Sequence, residues 1–324
     1  MSLLEVKNLH TYFKTKKGIV KAVNDVTYSL DAGKTLGIVG ESGSGKSVSA
    51  MSIIKLLDGN GYIESGSITF DGKDILQCTD KEMYHIRGNE ISVIFQEPMT
   101  SLNPVFTVER QIGETLQIHQ NMTKKEARKK AVDLLADVKI PNPERVAKQY
   151  PFQLSGGMRQ RVMIAMALAC KPKLLIADEP TTALDVTIQA QIMELIRQMN
   201  REMGTAVLLI SHDLGVIRQM CTRVYIMYAG RVVESGETKE VLAHPLHPYT
   251  KGLIASIPSL EKRGQRLSSI PGTVPALEDR SEHGCPFYNR CSKRREICEK
   301  ETPPMVVHKG HMALCVDAKE ELGL

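Results

Sequence analysis

The feature that most constrains the fold of this chain is the glycine-rich segment GESGSGKS at residues 40–47. It matches the pattern GxxxxGK[ST], it follows the apolar residues 36–39, which predict a strand, and it leads into a predicted helix starting at Gly45. In such a loop the glycines let backbone N–H groups turn inward around phosphate oxygens, and the helix adds the positive end of its dipole. The segment therefore predicts a phosphate-binding loop, called the P-loop below, between a strand and a helix.

Two side chains of the P-loop suit a bound nucleotide. Lys46 supplies a positive charge for the β and γ phosphates, and the hydroxyl of Ser47 is placed to bind Mg²⁺. The sequence therefore predicts that ATP and Mg²⁺ are bound here, by the loop residues Gly40, Ser42, Gly43, Ser44, Gly45, Lys46 and Ser47.

A second apolar stretch, residues 174–177, ends in the adjacent acids Asp178 and Glu179. Ligands of parallel sheets bind at the carboxyl ends of the strands, so we expect both carboxylates beside the phosphates. Asp178 is expected to hold Mg²⁺ through water. Glu179 is expected to be the general base that orients and polarises the water attacking the γ-phosphate.

A Ser-Gly-Gly turn at residues 155–157 opens an apolar helix. It predicts a second place where backbone N–H groups and a helix dipole bind an anionic oxygen, through Ser155, Gly156 and Gly157. One chain thus carries two phosphate-binding devices.

The pattern of apolar residues divides the chain into regions. Residues 1 to about 95 predict strands and turns around one helix, and residues 97 to about 157 predict an inserted helical subdomain. Within it, Thr123 and Glu126 form a capping-box pattern. From residue 157 to residue 250 helices and strands alternate, which favours a largely parallel sheet, and residues 259–284 predict a linker into a small C-terminal module.

Composition and charge limit the function classes. The chain has 324 residues, 42% of them hydrophobic, which is enough for a sizeable core, but no apolar run is long enough to span a membrane. The net charge of +5 is mild, and the basic cluster at residues 124–130 is expected to be a solvated helix face rather than a nucleic-acid or lipid site. We therefore expect any membrane role to come through partners.

The order of these motifs resembles the ATP-binding cassette (ABC) family over residues 1 to about 250. The resemblance implies that the Ser-Gly-Gly segment of one subunit completes the P-loop site of another, so that ATP lies at a dimer interface. It also implies that Gln96 contacts Mg²⁺ and senses the attached membrane subunit, that Ala183, Leu184 and Asp185 form the loop linking the two sites, and that His212 contacts the γ-phosphate.

Two further positions, 13 and 158, bear on the nucleotide sites. The resemblance places Phe13 where the family stacks an aromatic ring on adenine, with the neighbouring Tyr12 as an alternative. Met158 departs from the family pattern, because most members carry glutamine there. Since the backbone donors of the Ser-Gly-Gly segment are unaffected, we expect hydrolysis to persist, with unequal activity at two sites.

The chain has seven cysteines. Cys78, Cys170 and Cys221 are scattered and are expected to be buried or inert. The others crowd together near the C-terminus, with the spacing C-x5-C-x6-C-x16-C, at Cys285, Cys291, Cys298 and Cys315. Four thiolates can hold a tetrahedral zinc ion or an iron–sulfur cluster, and the spacing alone does not choose between them.

Residues 95–108 (FQEPMTSLNPVFTV), residues 244–250 (HPLHPYT), the Pro271-Gly272 pair and the cysteine segment together resemble the ATPases of dipeptide, oligopeptide and nickel importers. This resemblance covers essentially the whole chain. In that group a C-terminal four-cysteine module that binds a [4Fe-4S] cluster is known, so the resemblance favours the cluster over zinc.

The resemblance implies an α/β fold: an ABC-type P-loop ATPase domain over residues 1–258, with an antiparallel β lobe and the helical subdomain, and a Cys-rich module over residues 259–324. The implied function is that of an ATPase powering uptake of dipeptides or oligopeptides across the plasma membrane, with a nickel importer as the alternative. The implied location is the cytoplasmic face of that membrane. The implied partners are a second ATPase subunit, for which a paralogue is favoured over an identical chain, and two permease subunits. An external peptide-binding protein is an indirect partner, and no nucleic acid is expected.

Two other classes fit less well. A soluble ABC ATPase of DNA repair or translation usually carries a long coiled coil between the two phosphate-binding segments, or two cassettes in one chain. Lys46 and Ser155 are too close in sequence for such an insertion, and one cassette is present. A redox enzyme with an attached ATPase is disfavoured because no flavin or nicotinamide motif accompanies the cysteines.

Overall fold

The computed structural model of the protein describes residues 2–96, 101–181, 185–258, 268–281 and 283–322. Its strands are β1 (Ser2–Thr15), β2 (Gly18–Asp31), β3 (Thr35–Val39), β4 (Gly61–Phe70), β5 (Lys73–Asp74), β6 (Ile91–Ile94), β7 (Leu174–Asp178), β8 (Ala206–Ser211), β9 (Arg223–Tyr228), β10 (Arg231–Glu237), β11 (Met305–His308) and β12 (His311–Leu314). Its helices are α1 (Lys46–Ile53), α2 (Asp80–Ile86), α3 (Val108–Gln120), α4 (Lys124–Asp137), α5 (Pro143–Ala147), α6 (Gly156–Leu168), α7 (Val186–Met203), α8 (Leu214–Met220), α9 (Thr238–Ala243), α10 (Pro248–Ala255), α11 (Ile297–Lys300) and α12 (Asp317–Glu321). Over these residues, no helix has both the length and the apolar character needed to cross a membrane.

Capping explains where the helices start. The hydroxyl of Thr123 accepts the N–H of Glu126, whose carboxylate accepts the N–H of Thr123 in return, so the predicted capping box of α4 is confirmed. The prediction of a single helix before residue 95 is wrong, because α2 follows the same kind of box, formed by Thr79 and Glu82. This helix is too short to show a clear apolar period, but its capping box is visible in the sequence.

The described residues divide into two compact units. The first, called the helical unit, comprises Gln77–Ile210 and the short segment Asp31–Lys34. In it, β7 pairs in parallel with both β6 and β8, as the alternation of strands and helices predicts. β7 and β8 are buried along their whole length, in keeping with their continuous apolar sequences. Helix α4 packs on α3, α5 and α6, and α6 packs on β6.

The second unit, called the P-loop unit, comprises Ser2–Leu30, Thr35–Leu76 and Ser211–Leu324. Its first lobe is a sheet of order β2-β1-β4-β5, in which the pairs β1–β4 and β4–β5 are antiparallel. In its other sheet region β3 pairs in parallel with β9, and β9 pairs antiparallel with β10. The hairpin β11–β12 continues this region, because β12 pairs with β10. C-terminal residues therefore join the sheet that carries the P-loop strand.

A buried acid fixes the segment HPLHPYT in the P-loop unit. Glu234 on β10 is fully buried and accepts the backbone N–H groups of Leu246, at 2.8 Å, and His247, at 2.9 Å. Its carboxylate also lies 2.7 Å from Nε2 of His311 on β12. A buried carboxylate is stable only when such partners surround it. Glu234 thus joins β10, the residues before α10 and the C-terminal hairpin.

The burial of His247 predicts a pH dependence of stability. His247 is 1% exposed, and its Nδ1 accepts the N–H of Tyr249. Burial lowers the pKa of His247 from 6.5 to about 4, against the opposing effect of Glu234. Between these pH values the unfolded chain binds a proton that the folded chain does not, so the free energy of unfolding should fall as the pH drops from 6.5 to 4. The loss should be up to about 3 kcal/mol.

Urea unfolding at several pH values between 7 and 4 measures this effect. His247→Asn, which keeps a side-chain acceptor for Tyr249 but cannot titrate, should flatten the dependence. His244→Asn is the matched control, because the His244 side chain is exposed and lies beside Glu240. An unchanged slope in His247→Asn would contradict the assignment.

Candidate functional site

The P-loop has the backbone that its glycines predict. It connects β3 to α1, and Gly45 at the start of α1 has φ of 98°, in the left-handed region. A Cβ atom at Gly45 would lie 2.6 Å from the carbonyl oxygen of Ala22, and one at Gly40 would lie 2.2 Å from that of Met227. Glycine is therefore required at Gly40 for space and at Gly45 for both space and conformation.

The polar groups of the P-loop converge at the start of α1. Nζ of Lys46, a residue only 5% exposed, donates to the carbonyl oxygens of Gly40, at 2.8 Å, and Glu41, at 3.0 Å. The hydroxyl of Ser44 is buried and has no hydrogen-bond partner among the described residues. Ser42 and Gly43 are exposed, and Ser47 is half-buried. A held ammonium group and an unsatisfied hydroxyl at a helix N-terminus suit the binding of an anion.

The acidic pair lies at the end of β7 in the helical unit. Asp178 is buried, whereas Glu179 is half-buried and has φ of 45°. A non-glycine residue in the left-handed region costs about 1–3 kcal/mol, and residues of this kind cluster at functional sites. The N–H of Glu179 donates to the carbonyl oxygen of Ile210 at 3.0 Å, and Nε2 of Gln96 donates to Oε2 of Glu179 at 3.3 Å. The structure thus brings Gln96 and Glu179 together.

The Ser-Gly-Gly segment forms the first turn of α6. Ser155 and Gly156 are exposed, and the hydroxyl of Ser155 accepts the N–H of Met158 at 3.3 Å. Gly157 packs closely on α7, because a Cβ atom there would lie 3.0 Å from Cγ2 of Ile188. Met158 takes part in the cap through its backbone N–H. Having methionine there instead of the usual glutamine therefore leaves the turn intact.

Two more predicted residues lie at helix starts. Asp185 caps α7, since Oδ1 accepts the N–H of Ile188 at 2.9 Å. Its predicted loop neighbours Ala183 and Leu184 lie outside the described residues. His212 is exposed after β8, and the next residue, Asp213, caps α8 by accepting the N–H of Gly215 at 2.7 Å. Asp185 and Asp213 therefore each have a structural role in a cap.

The two aromatic candidates for adenine lie on β1. The Tyr12 hydroxyl lies 3.2 Å from Nδ1 of His10, and its ring meets the edge of Tyr62 and the ammonium group of Lys21. Phe13 lies opposite Gly61 on β4, and its ring lies beside that glycine. Both rings therefore have neighbours within the same lobe.

The predicted residues are divided between the two units. The helical unit contains Gln96, Asp178, Glu179, Asp185 and the Ser-Gly-Gly segment, and the P-loop unit contains Phe13, the P-loop and His212. The sequence patterns missed three side chains that contact the P-loop from much later in the chain: those of Tyr249, Arg280 and Arg290. Tyr249 belongs to the segment HPLHPYT, but no spacing or motif marks the two arginines.

The four C-terminal cysteines line one small cavity in the P-loop unit. Burial raises the pKa of the Cys285 thiol to about 12, and it also raises the pKa of Cys291 and of Cys315. Cys78, Cys170 and Cys221 are buried elsewhere, as expected for inert thiols.

The predicted metal site is not formed by these thiols as they stand. The cavity has a volume of about 20 Å³, little more than one water molecule needs. In the described part of the chain, no group of three or more His, Cys, Asp and Glu side chains is arranged to hold a metal ion. Buried, protonated thiols pack as small apolar groups, whereas a metal requires thiolates. The four sulfur atoms line the same cavity, but they would have to move apart to make room for a cluster.

Two protein-family models match the chain. Residues 23–182 match the family described as ABC transporter, and residues 233–298 match the family described as oligopeptide/dipeptide transporter, C-terminal region. The oligopeptide transport ATP-binding protein OppD of Salmonella typhimurium is 50% identical over 320 residues, covering 99% of this chain and 95% of that protein. The oligopeptide transport ATP-binding protein AppD of Bacillus subtilis is 50% identical over 322 residues, covering 99% and 98%.

Solved structures match the fold. A dimeric structure of the ATP-binding cassette MJ0796, in a post-hydrolysis state bound to ADP and Pi, has a TM-score of 0.66 and 31% sequence identity. The match covers 72% of this chain and 98% of that one. CbiO1 from Clostridium perfringens, part of the transporter complex cbiONQ, has a TM-score of 0.64 and 29% identity, over 75% of this chain and 91% of that one.

Proposed function

This chain belongs to the ABC transporter family, and from that premise we propose that it is the ATP-hydrolysing subunit of an importer of oligopeptides or dipeptides. The observation that carries the proposal is the 50% identity, over 99% of the chain, to oligopeptide transport ATP-binding proteins. The match of residues 233–298 to the C-terminal region of oligopeptide and dipeptide transporters supports the peptide cargo.

The nucleotide phosphates are the ligand that the P-loop fits. Lys46 is held at the loop by two carbonyl oxygens and can turn its ammonium group to the β and γ phosphates. The buried Ser44 hydroxyl is a further donor for a phosphate oxygen. We assign Mg²⁺ to oxygens of Ser47, Gln96 and Asp178, which are hard ligands of the kind that this ion prefers. Bound Mg²⁺ supplies positive charge to the phosphate oxygens.

We assign Glu179 as the general base that activates the water attacking the γ-phosphate. Gln96 donates to the Glu179 carboxylate and so orients it. The left-handed backbone of Glu179 fixes the direction in which the carboxylate leaves β7. His212 contacts the γ-phosphate, and Phe13 stacks on adenine. The roles of His212 and Phe13 are proposals drawn from the family.

A second ATPase subunit completes the proposed cycle. Ser155 and Gly156 are exposed at the start of α6, which with Gly157 suits a phosphate bound to another subunit, and Asp185 lies in the loop linking the two sites. The MJ0796 cassette was solved as a dimer with ADP and Pi, which supports this assembly. We propose a paralogue as the partner. Met158, where most family members carry glutamine, would then contribute to one of the two nucleotide sites and make them unequal.

The membrane-spanning part of the importer is assigned to partners. We propose that two permease subunits attach to the helical region following Gln96 and receive its movement when nucleotide binds and leaves. An external peptide-binding protein would deliver the cargo to them. The chain would then lie at the cytoplasmic face of the plasma membrane.

For the cysteines we propose a [4Fe-4S] cluster, with Zn²⁺ as the alternative. The donor chemistry fits, since four thiols line one cavity, but that cavity must open and the thiols must lose their protons. The role we assign to the cluster is to staple a small segment that has little apolar core of its own.

The function is tested by transport. The full chain, co-purified with its membrane partners and identified together with them by mass spectrometry, is reconstituted in vesicles. With ATP the vesicles should accumulate labelled di- or oligopeptide, and with ADP they should not. Accumulation of Ni²⁺ instead of peptide would establish the nickel alternative, and a chain that purifies without membrane partners would favour the soluble class of ABC ATPase.

A further inference from the structure

One residue of the P-loop, Glu41, is held by the C-terminal part of the chain. Its backbone N–H donates to the hydroxyl of Tyr249 at 2.9 Å. Its carboxylate accepts two hydrogen bonds from Arg290, from Nη1 to Oε2 at 2.5 Å and from Nη2 to Oε1 at 3.1 Å. Its carbonyl oxygen accepts Nζ of Lys46 at 3.0 Å. Glu41 therefore connects Arg290 directly to the lysine that binds phosphate.

Arg290 is itself fixed on all sides. Its side chain is only 6% exposed, and its Nε donates to the carbonyl oxygen of Pro271 at 2.8 Å. The guanidinium group lies 5.7 Å from the ring centre of Tyr228 and 5.9 Å from that of Phe287. A guanidinium with a two-point bond to a carboxylate has a defined geometry as well as a charge. The pair is therefore a rigid contact rather than a mobile surface ion pair.

A second arginine, Arg280, also forms hydrogen bonds with the P-loop and the chain beside it. Nη2 of Arg280 donates to the carbonyl oxygen of Gly43, and Nη1 donates to that of Ala22 at 3.3 Å. Arg280 and Arg290 thus contact the P-loop at positions 43 and 41 respectively.

The negative charge of Glu41 is unfavourable in a loop that binds phosphates. A carboxylate among the residues around a polyphosphate repels it, and the repulsion is strong where solvent screening is weak. Arg290, whose side chain is 6% exposed, offsets this charge through an ion pair with the Glu41 carboxylate, which is 31% exposed. By holding that side chain it also restrains the residue whose carbonyl oxygen accepts Nζ of Lys46. Both effects favour nucleotide binding.

We propose that Arg290 is a positioning residue of the nucleotide site, which neutralises Glu41 and holds the P-loop in its binding conformation. The inference rests on the proposed ATP-binding function. It assigns to the C-terminal region a direct part in nucleotide affinity.

The test measures the Kd for MgATP of the purified full-length chain by isothermal titration calorimetry, with thermal unfolding to check the fold. Arg290→Ala should raise the Kd about 10- to 100-fold, the usual size of coupling between a remote contact and a ligand. Adding Glu41→Gln to Arg290→Ala should recover a large part of the affinity, because the unpaired negative charge is then gone. A residue that only supported the fold would give no such recovery.

Two further variants keep the test decisive. Arg295→Ala is the matched control, because Arg295 pairs with Glu320 and Asp317 in the same C-terminal segment; it should leave the Kd within about twofold. Should Arg290→Ala not fold, Arg290→Gln removes the same charge but keeps a donor, and it is compared with and without Glu41→Gln. A wild-type chain that does not bind MgATP would refute the proposed function and this inference together. Wild-type binding with an unchanged Kd in the Arg290 variant, or no recovery in the double variant, would overturn the inference alone.

Discussion

Replacing Glu179 by glutamine should leave MgATP bound but should stop nearly all of its hydrolysis. The amide keeps the size of the side chain and can still face Gln96, but it cannot accept a proton from water. A positioned general base contributes about 10²- to 10⁴-fold to a rate, so kcat should fall by about that factor. ATP turnover by the purified chain with its partners, together with MgATP binding to the same sample, measures both parts of the prediction.

Glu194→Gln is a suitable control for this experiment. Glu194 lies on α7 of the same unit and is exposed, with an ion pair to Arg197, so its loss should change turnover by less than about twofold. Near-normal hydrolysis in Glu179→Gln would show that the base is another group. Loss of MgATP binding in this variant would show that Glu179 acts on the nucleotide rather than on water.

Chain purified without oxygen should be brown, with a broad absorbance near about 400 nm from charge transfer between thiolate and iron. Cys298→Ser should abolish the colour and the bound iron, because it removes one of four ligands. Cys221→Ser is the matched control, since this buried thiol lies at the end of α8 and does not line the cysteine cavity. The measurement is the absorbance spectrum together with the iron and zinc content of each variant.

The two metals give separate outcomes. A colourless chain that contains one equivalent of zinc, lost in Cys298→Ser, would establish the zinc alternative and reject the cluster. A chain that contains neither metal would mean that the four thiols are packed as they stand in their small cavity, and the metal proposal would then fail.

Local motifs carried most of what could be predicted. The P-loop, the end of β7 and the Ser-Gly-Gly helix start each depend on residues close in sequence, whose conformations follow from glycine geometry, strand ends and capping. The same logic could have found α2, because its capping box of Thr79 and Glu82 is equally local. The left-handed backbone of Glu179 could not be predicted, since nothing in its neighbouring residues requires it.

By itself, then, the sequence determined the phosphate chemistry and, through resemblance, the family, because short segments with strong backbone preferences specify their own shape. Only the tertiary structure decided which distant groups meet. Gln96 bonds to Glu179 83 positions later, Glu234 lies against His311 77 positions later, and Glu41 pairs with Arg290 249 positions later. Such pairs depend on how strands and helices pack. The sequence around a polar side chain has no periodic pattern from which its distant partner could be identified. For that reason the contacts of Arg280 and Arg290 with the P-loop could be found only in the tertiary structure.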